Sequence, residues 1–394
     1  MTLTNSSLFG QLLAQVKRGT FSALVAKHQA ERHAKGFTCY AQLVAMLFCH
    51  LARADSLREI CHGLRSSGGK LRHLGLACTP ARSTLSYANA HRPPELFEEL
   101  FFVMLNQLRA QAGLLPRRHR FEFSNPLLSL DATVISLSLS LFPWADYNRT
   151  KGGIKVHVVL DHTDYLPRYV RISGVQQHEI RYARTLALPA GSVVAMDRAY
   201  MDFRLLSAWN AQGVYFVTPH KDGLVYQVRQ RNPTPPASGI LSDELIALGA
   251  RVSKRRYKPL LRRIKLVVAD ARGQTRELAL LTNQLEFDAE TVAAIYKERW
   301  QIELFFKALK QNLTLRSFVG TSENALRIQI WTALLALLLL KWLHYRSRCR
   351  WSLSNLAATL RLNLFSYRDM QHFLDAPWDP PPEPTGPQQL ALAL

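Results

Sequence analysis

The chain has 394 residues, enough for two or three domains with a sizeable core. It carries 50 Lys and Arg against 29 Asp and Glu, a net charge of +21. Solubility asks for only about 2–8, so the surplus points to a polyanionic partner, because each cation set on a phosphate releases a condensed counterion. The five cysteines (Cys39, Cys49, Cys61, Cys78 and Cys349) contain no CxxC pair, which argues against a disulfide framework or zinc ribbon.

The N-terminus lacks a basic start and a long apolar stretch, so no signal peptide is expected. Residues 5–110 read as helical. AQLVAMLFCHLA (41–52) and LFEELFFVMLNQL (96–108) have helical length and apolar spacing. Cys49-His50 and Cys61-His62 fit no common zinc spacing and read as packing. Ser56 is placed to cap a helix bearing Leu57, Ile60 and Leu64, and SSGG (66–69) ends it. Thr79-Pro80 opens the next helix, since proline suits a first helical position. Its outer side carries Arg82, Ser83, Ser86, Asn89 and Arg92, groups suited to phosphates and base edges. That makes it a candidate helix-turn-helix, with a plain helical pair as the equal alternative. RRHR (117–120) is a basic link.

Strand patterns follow at 127–139, 154–161 and 168–173, then a helical stretch at 178–187, a buried-type strand at 192–196, a helix over 201–213 and a strand at 214–218. Three strands, helix, strand, helix, strand is the order of an RNase H-like sheet. Residues 221–285 read as a β-rich insertion of short strands (LVYQVRQR, ARVSKRRYK, RRIKLVVAD, RELALLTN) dense in basic groups, among them Lys254, Arg255 and Arg256. These are assigned to DNA contact, the other reading being a solvated basic face. A long helix is expected from the cap Asp288 to about Asn312, with Phe287 and Val292 forming a hydrophobic staple. The apolar run Ile330–Leu340 is far short of the ~20 residues that cross a bilayer and reads as a buried helix. The Pro-rich tail after Ala376 reads as low-complexity chain.

The chemistry concentrates in IYKERWQIELFFKALKQ (295–311). On a wheel of 100° per residue, Tyr296, Arg299, Glu303 and Lys310 share one arc of about 60°, beside the apolar face of Ile302, Phe305, Phe306 and Leu309. Geometry alone fits an ordinary amphipathic helix equally well. Asp131 and Asp197 sharpen the case. Asp131 interrupts an apolar strand and Asp197 stands where another ends, and a carboxylate among buried strands is costly unless paired or bound to a cation. Three such carboxylates suit hard Mg²⁺ with oxygen-only ligands. Two ions, with Mn²⁺ as a substitute, would serve an in-line phosphoryl displacement, and Arg299 and Lys310 would grip neighbouring phosphates.

These stretches resemble DDE transposases of the IS4 family. Tyr296-x2-Arg299-x3-Glu303-x6-Lys310 is similar to that family's YREK signature at full spacing. LSLDATVI around Asp131 resembles its first aspartate motif, and MDRAYMDF around Asp197 its DRGY-type second motif. FPWADYNRTKGGIKVHVVLD (142–161) and YFVTPHKDG (215–223) are further similar blocks. The likeness spans about residues 5–345. It departs at Ala199, where the family has Gly, which tightens the turn after Asp197, and at Pro219-His220, where the family often has Arg. The insertion has no Trp, so no base-platform residue is carried over.

The expectation is an α/β protein. It comprises a helical DNA-binding domain (1–115), an RNase H-like core in two parts (116–220 and 287–345), a β-rich insertion (221–286), and a C-terminal helical segment with a Pro-rich tail (346–394). The resemblance implies catalysis by Asp131, Asp197 and Glu303 on double-stranded DNA, at element inverted repeats and at target. It also implies a homodimer on paired ends, with the apolar helix over 330–343 as one candidate subunit contact and burial within one chain as the other. No membrane is involved, and the expected location is cytoplasmic, with the bacterial nucleoid. The alternatives are a nuclease that cuts without joining, a transposase-derived repressor, which would need no carboxylate site, and a glycosidase, against which the charge weighs.

Overall fold

The computed structural model describes residues 5–379 apart from 33, 35, 68, 112–120, 138–141, 143, 145, 149–150, 235–237, 270–272 and 314–316. The basic link at 117–120 and nearly all of the Pro-rich tail fall outside the described residues. The chain divides into two compact units: residues 1–113 together with 307–394, and residues 114–306.

The first unit opens with six helices: α1 (Leu8–Leu13), α2 (Arg18–Lys27), α3 (Cys39–Ala52), α4 (Leu57–Ser66), α5 (Arg82–His91) and α6 (Glu95–Gln111). Capping chemistry sets their starts. Thr38 Oγ1 accepts from the Ala41 amide at 3.1 Å ahead of α3. Ser56 Oγ accepts from the Glu59 amide at 3.2 Å ahead of α4, while the Glu59 carboxylate accepts from the Asp55 amide at 3.0 Å. Helix α5 begins at Arg82 behind an uncapped Ala81, two residues later than Pro80 suggests. Fifteen residues, Ser67 to Ala81, separate α4 from α5, so the pair lacks the 3–4-residue turn of a helix-turn-helix. Asn89 and Arg92, expected on the outer side of α5, are buried. Gln42 donates to Asn89 Oδ1 at 2.7 Å, and Arg92 donates to the carbonyl of Thr38 and to Gln42 Oε1. Their amide and guanidinium complete a polar bond set inside the helical core rather than facing outward.

The second unit holds a mixed sheet of ten strands among the described residues. They are β1 (Leu127–Leu137), β2 (Asp146–Asn148), β3 (Lys151–Asp161), β4 (Leu166–Gly174), β5 (Val193–Met196), β6 (Tyr215–Pro219), β7 (Tyr226–Arg231), β8 (Ile240–Leu248), β9 (Leu261–Ala269) and β10 (Thr275–Thr282). The core order is β4-β3-β1-β5-β6. β3 is antiparallel to both β4 and β1, and β1, β5 and β6 run parallel. This is the RNase H-like sheet. β10 pairs antiparallel with β6, and β9, β8 and β7 follow in turn, so the inserted strands extend the core sheet.

Helices α7 (Glu179–Ala183), α8 (Phe203–Ala211), α9 (Arg251–Arg256) and α10 (Ala289–Glu298) complete this unit. Two hydrophobic cores sandwich the sheet. Leu128, Leu130, Val194, Met196 and Phe216 pack with Leu205, Leu206 and Trp209 of α8 and with Tyr257 after α9. Leu127, Val193, Ala195 and Val217 pack with Ala289, Val292 and Ile295 of α10, and Phe287 joins them. Strand alternation assigns odd positions of β1 and β5 to the α10 side.

One expectation for the insertion changes. ARVSKRRYK forms helix α9 and not a strand: RVSKRR has no apolar alternation, its basic last turn complements the helix dipole, and Tyr257 ends it by entering the core. Strand β8 shows no clean alternation because Asp243 and Glu244 sit in its middle. There they meet β9, through Arg262–Asp243 at 2.6 Å and Arg263–Glu244 at 3.0 Å.

The long helix after Asp288 breaks at Arg299. α10 gives way to α11 (Trp300–Asn312), which runs across the division between the units. Asp288 caps α10, accepting from the Thr291 amide at 2.6 Å. The first unit then resumes with α12 (Glu323–Arg346), α13 (Leu353–Leu362) and α14 (Met370–Asp375). α12 has 24 residues, long enough by length and apolarity to cross a bilayer, but it is buried along most of its length and packs on α3, α5 and α6. The stretch over 330–343, weighed above as a subunit contact, is buried within the unit, save for its half-buried Lys341.

His50 on α3 is fully buried, with Nε2 3.0 Å from Thr332 Oγ1 on α12. Burial lowers its pKa to about 3, so the folded chain keeps it neutral. The unfolded chain protonates it near 6.5. Stability contributed by the neutral ring is therefore present above pH 6.5 and is lost on acidification, at about 1.4 kcal/mol per pH unit. In urea titrations between pH 6 and 4, His50→Gln should lose stability less steeply than wild type by that amount per unit. Equal slopes would show that His50 is charged in the fold.

Candidate active site

Three elements bring Asp131, Asp197 and Glu303 into one neighbourhood of the second unit. β1 and β5 pair in parallel as far as Leu130 and Met196. Asp131 and Asp197 are the next residues on each strand, and both face α10 by alternation. β5 ends there. Asp197 caps the 3-10 turn Arg198–Tyr200, its Oδ1 accepting from the Ala199 amide at 2.9 Å. Ala199 is not among the residues with positive φ, so this turn needs no glycine. Asp131 stays within β1, opposite Val158 of β3.

Arg299 joins the first and third carboxylates. Its Nη1 lies 3.3 Å from Asp131 Oδ2 and its Nη2 2.7 Å from Glu303 Oε1. Its guanidinium stands 5.5 Å from the Tyr296 ring centre, a cation–π distance. The break between α10 and α11 falls at this residue. Burial pushes the Asp131 carboxyl up to about 6. The Ala132 amide and Arg299 oppose that rise, while the negative charges of Asp197 and Glu303 add to it. Burial likewise raises Tyr296. The site therefore holds more negative charge than its one guanidinium offsets. Among the described residues no three Asp, Glu, His or Cys side chains stand close enough to hold an ion as placed. The groups that could hold one are the three carboxylates, an oxygen-only set.

Lys310 lies on α11 beyond the division, half-buried, and burial lowers its ammonium pKa. Arg82 belongs to the first unit. With Ser83, Ser86 and Arg58 it lines a cleft of about 470 Å³. Lys254, Arg255 and Arg256 are exposed on α9, which packs with α8 on the sheet face away from α10.

Sequence reasoning passed over a second polar network behind Arg299. Tyr165, in the left-handed region at φ 54°, donates its hydroxyl to Glu298 at 3.0 Å. Ser129, two residues before Asp131 on the same strand face, lies 2.7 Å from His162 Nε2, and His162 Nδ1 is 4.0 Å from Glu298. These contacts fix the end of α10 and so the root of Arg299. The available signal was the strand period of two, which places Ser129 beside Asp131. Tyr200 of the DRAY stretch is also buried. Its pKa is raised by that burial and, less strongly, by Asp131 and other nearby charged groups.

An RNase H-like sheet with one acidic residue within β1 and one just past the end of the adjacent β5, and with a helix bearing a third, defines the class of enzymes that cut and join nucleic-acid backbones. The profile of the transposase DDE domain matches residues 122–339, and that of a domain of unknown function (DUF4372) matches residues 4–77. A putative transposase of Sinorhizobium fredii is 33% identical over 288 residues, covering 72% of this chain and 77% of its own. A probable transposase for an insertion sequence of Geobacillus stearothermophilus is 28% identical, covering 68% of each. The transposase for insertion sequence IS4 of Escherichia coli is 24% identical over 203 residues, covering 48% of this chain and 43% of its own. The chain belongs to the DDE transposase family, of IS4 type, and is a DNA transposase, a polynucleotidyl transferase with endonuclease activity. Dependence on divalent metal comes with that domain.

Arg299→Gln should expose the unbalanced carboxylates. In chelator the variant should lose about 1–3 kcal/mol, the worth of charged hydrogen bonds, and millimolar Mg²⁺ should restore more stability to it than to wild type. Equal Mg²⁺ gains in a thermal-shift titration would separate Arg299 from the carboxylates' charge.

Proposed function

We propose that the chain cuts the 3′ ends of a mobile element and joins them to target DNA, with Asp131, Asp197 and Glu303 holding two Mg²⁺ ions, for which Mn²⁺ substitutes. The observation that carries this reading is the Arg299 bridge from Asp131 to Glu303, with Asp197 just past the point where the pairing of β1 and β5 stops. Such ions activate the attacking oxygen and stabilise the leaving oxygen of an in-line displacement. The three carboxylates supply hard oxygen donors, with their mutual repulsion as the driving force for cation uptake. With cations held by the carboxylates, Arg299 would be released to hold a phosphate, and Tyr296 and Lys310 are assigned to DNA contact. Arg82 with Ser83 and Ser86 in the helical 1–115 region, and Lys254, Arg255 and Arg256 in the 221–286 insertion, contact duplex away from the cut. For the domain boundaries we propose one change: the second part of the core covers 287–306, and residues 307–345 go with the helical unit. The protein works in the bacterial cytoplasm, at the nucleoid.

Glu303→Gln keeps shape and removes charge. It should bind end-containing duplex like wild type while Mg²⁺-dependent nicking falls at least 100-fold. Nicking that survives in the variant would remove Glu303 from the chemistry.

Both element ends must be held at once, or cutting would only break the chromosome. We therefore propose a homodimer on paired ends, the commonest closed symmetry, with the charge keeping subunits apart in the absence of DNA. Light scattering should give two chains per two end duplexes. A complex of one chain on one duplex that still cuts and joins would overturn the dimer.

A further inference from the structure

The basic residues of the inserted region differ in their partners. On β9 they are neutralised: Arg262 by Asp243 at 2.6 Å, Arg263 by Glu244 at 3.0 Å, and Lys265 by Glu277 at 2.6 Å. On α9 they are not, and Arg229 of β7 and Arg276 of β10 likewise have no acidic partner among the described residues. Arg251, Arg255 and Arg256 line one cavity of about 630 Å³ together with Arg204 from α8, and none of the four has an acidic partner among the described residues. Arg251 and Arg255 stand four residues apart on one face, where like charges destabilise a helix. Arg251 also sits in the first turn, against the dipole. A second cavity, of about 330 Å³, shares Arg204 and is lined also by Gln212 and by Arg184, which is paired with Asp202 at 2.9 Å.

This cluster lies on the far side of the sheet from the carboxylates. α8 and Tyr257 pack on Leu128, Leu130 and Met196, while α10 packs on Leu127, Val193 and Ala195. A helix layer, about 10–12 Å thick, and the sheet separate the two. We propose that Arg204, Arg251, Arg255 and Arg256 form a phosphate-backbone site for duplex DNA, holding a stretch other than the one being cut. The proposal rests on the transposase reading above. It adds Arg204 and Arg251 to the DNA-binding residues. Four guanidinium groups with few internal contacts suit a sequence-independent backbone, and no base-reading is implied.

The test compares wild type with Arg204→Ala/Arg251→Ala and with the matching double Lys variant. On a long duplex carrying an element end and flanking DNA, the Ala double should flatten the log–log salt slope of binding by about one to two units. The Lys double should keep the slope, and thermal midpoints should stay within a few degrees. On a duplex trimmed to the cleaved end, Mg²⁺-dependent nicking by the Ala double should match wild type. An unchanged slope overturns the proposal, as does a parallel loss of nicking on the trimmed duplex, which would assign these arginines to the cut DNA. Glu303→Gln reports on the other reading: if it still nicks, the catalytic assignment fails, while the slope difference still decides this one.

Discussion

Asp131 stands inside an eleven-residue strand whose neighbours Leu128 and Leu130 are buried in hydrocarbon. A carboxylate there loses most of its water, and its raised pKa measures that loss. Two features keep the cost bearable. β5 stops at Met196, so the flank of β1 opens at the residue where the charge sits. Arg299 arrives from the covering helix to meet Asp131 on one side and Glu303 on the other. Arg299 must be aimed from the junction of α10 and α11, and that junction is pinned by the Tyr165–Glu298 bond. One buried charge thus dictates where a strand ends, where a helix breaks, and which residues lie behind the break.

Much of the core was legible because its elements are regular. The period-two strands, the Asp288 cap and the apolar stripe of the last core helix each follow from local chemistry, and together they yield the order of an RNase H-like sheet. The inserted region was less legible for a physical reason. Asp243 and Glu244 make β8 look like a loop until Arg262 and Arg263 on the next strand are seen opposite them. Charge that is cancelled across strands cannot be told from solvated charge in one dimension. The same limit led to the wrong environment for Asn89 and Arg92, whose partners Gln42 and Thr38 are some fifty residues away. RVSKRR was misread by association with its neighbours: nothing in it alternates, and its composition favours a helix.

At the site, the three carboxylates and Arg299 were visible as types and spacings, but the arginine's role was not. The sequence places it on a phosphate. In the fold it lies against Asp131 and Glu303, and the two placements are reconciled only under the proposal that bound cations take over the carboxylates' charge. The supporting residues Ser129, His162, Tyr165 and Glu298 were beyond reach, because a side chain that acts through another carries no motif of its own.

The first unit is assembled from both ends of the chain, with the whole catalytic sheet spliced between. Helix α12, which packs on α3, α5 and α6, follows those helices by some two hundred residues. At ribosomal rates of about 5–20 residues per second, the early helices wait tens of seconds for the helix that completes their core. During that interval Leu43, Met46, Leu47 and Phe97, all buried in the finished unit, lack their final cover. The catalytic unit (114–306) is complete in sequence before the helical unit, whose last part is 307–394. Synthesis of this protein therefore imposes a fixed order, sheet first and helical unit last, and leaves a long window in which the apolar faces of the early helices stand without α12.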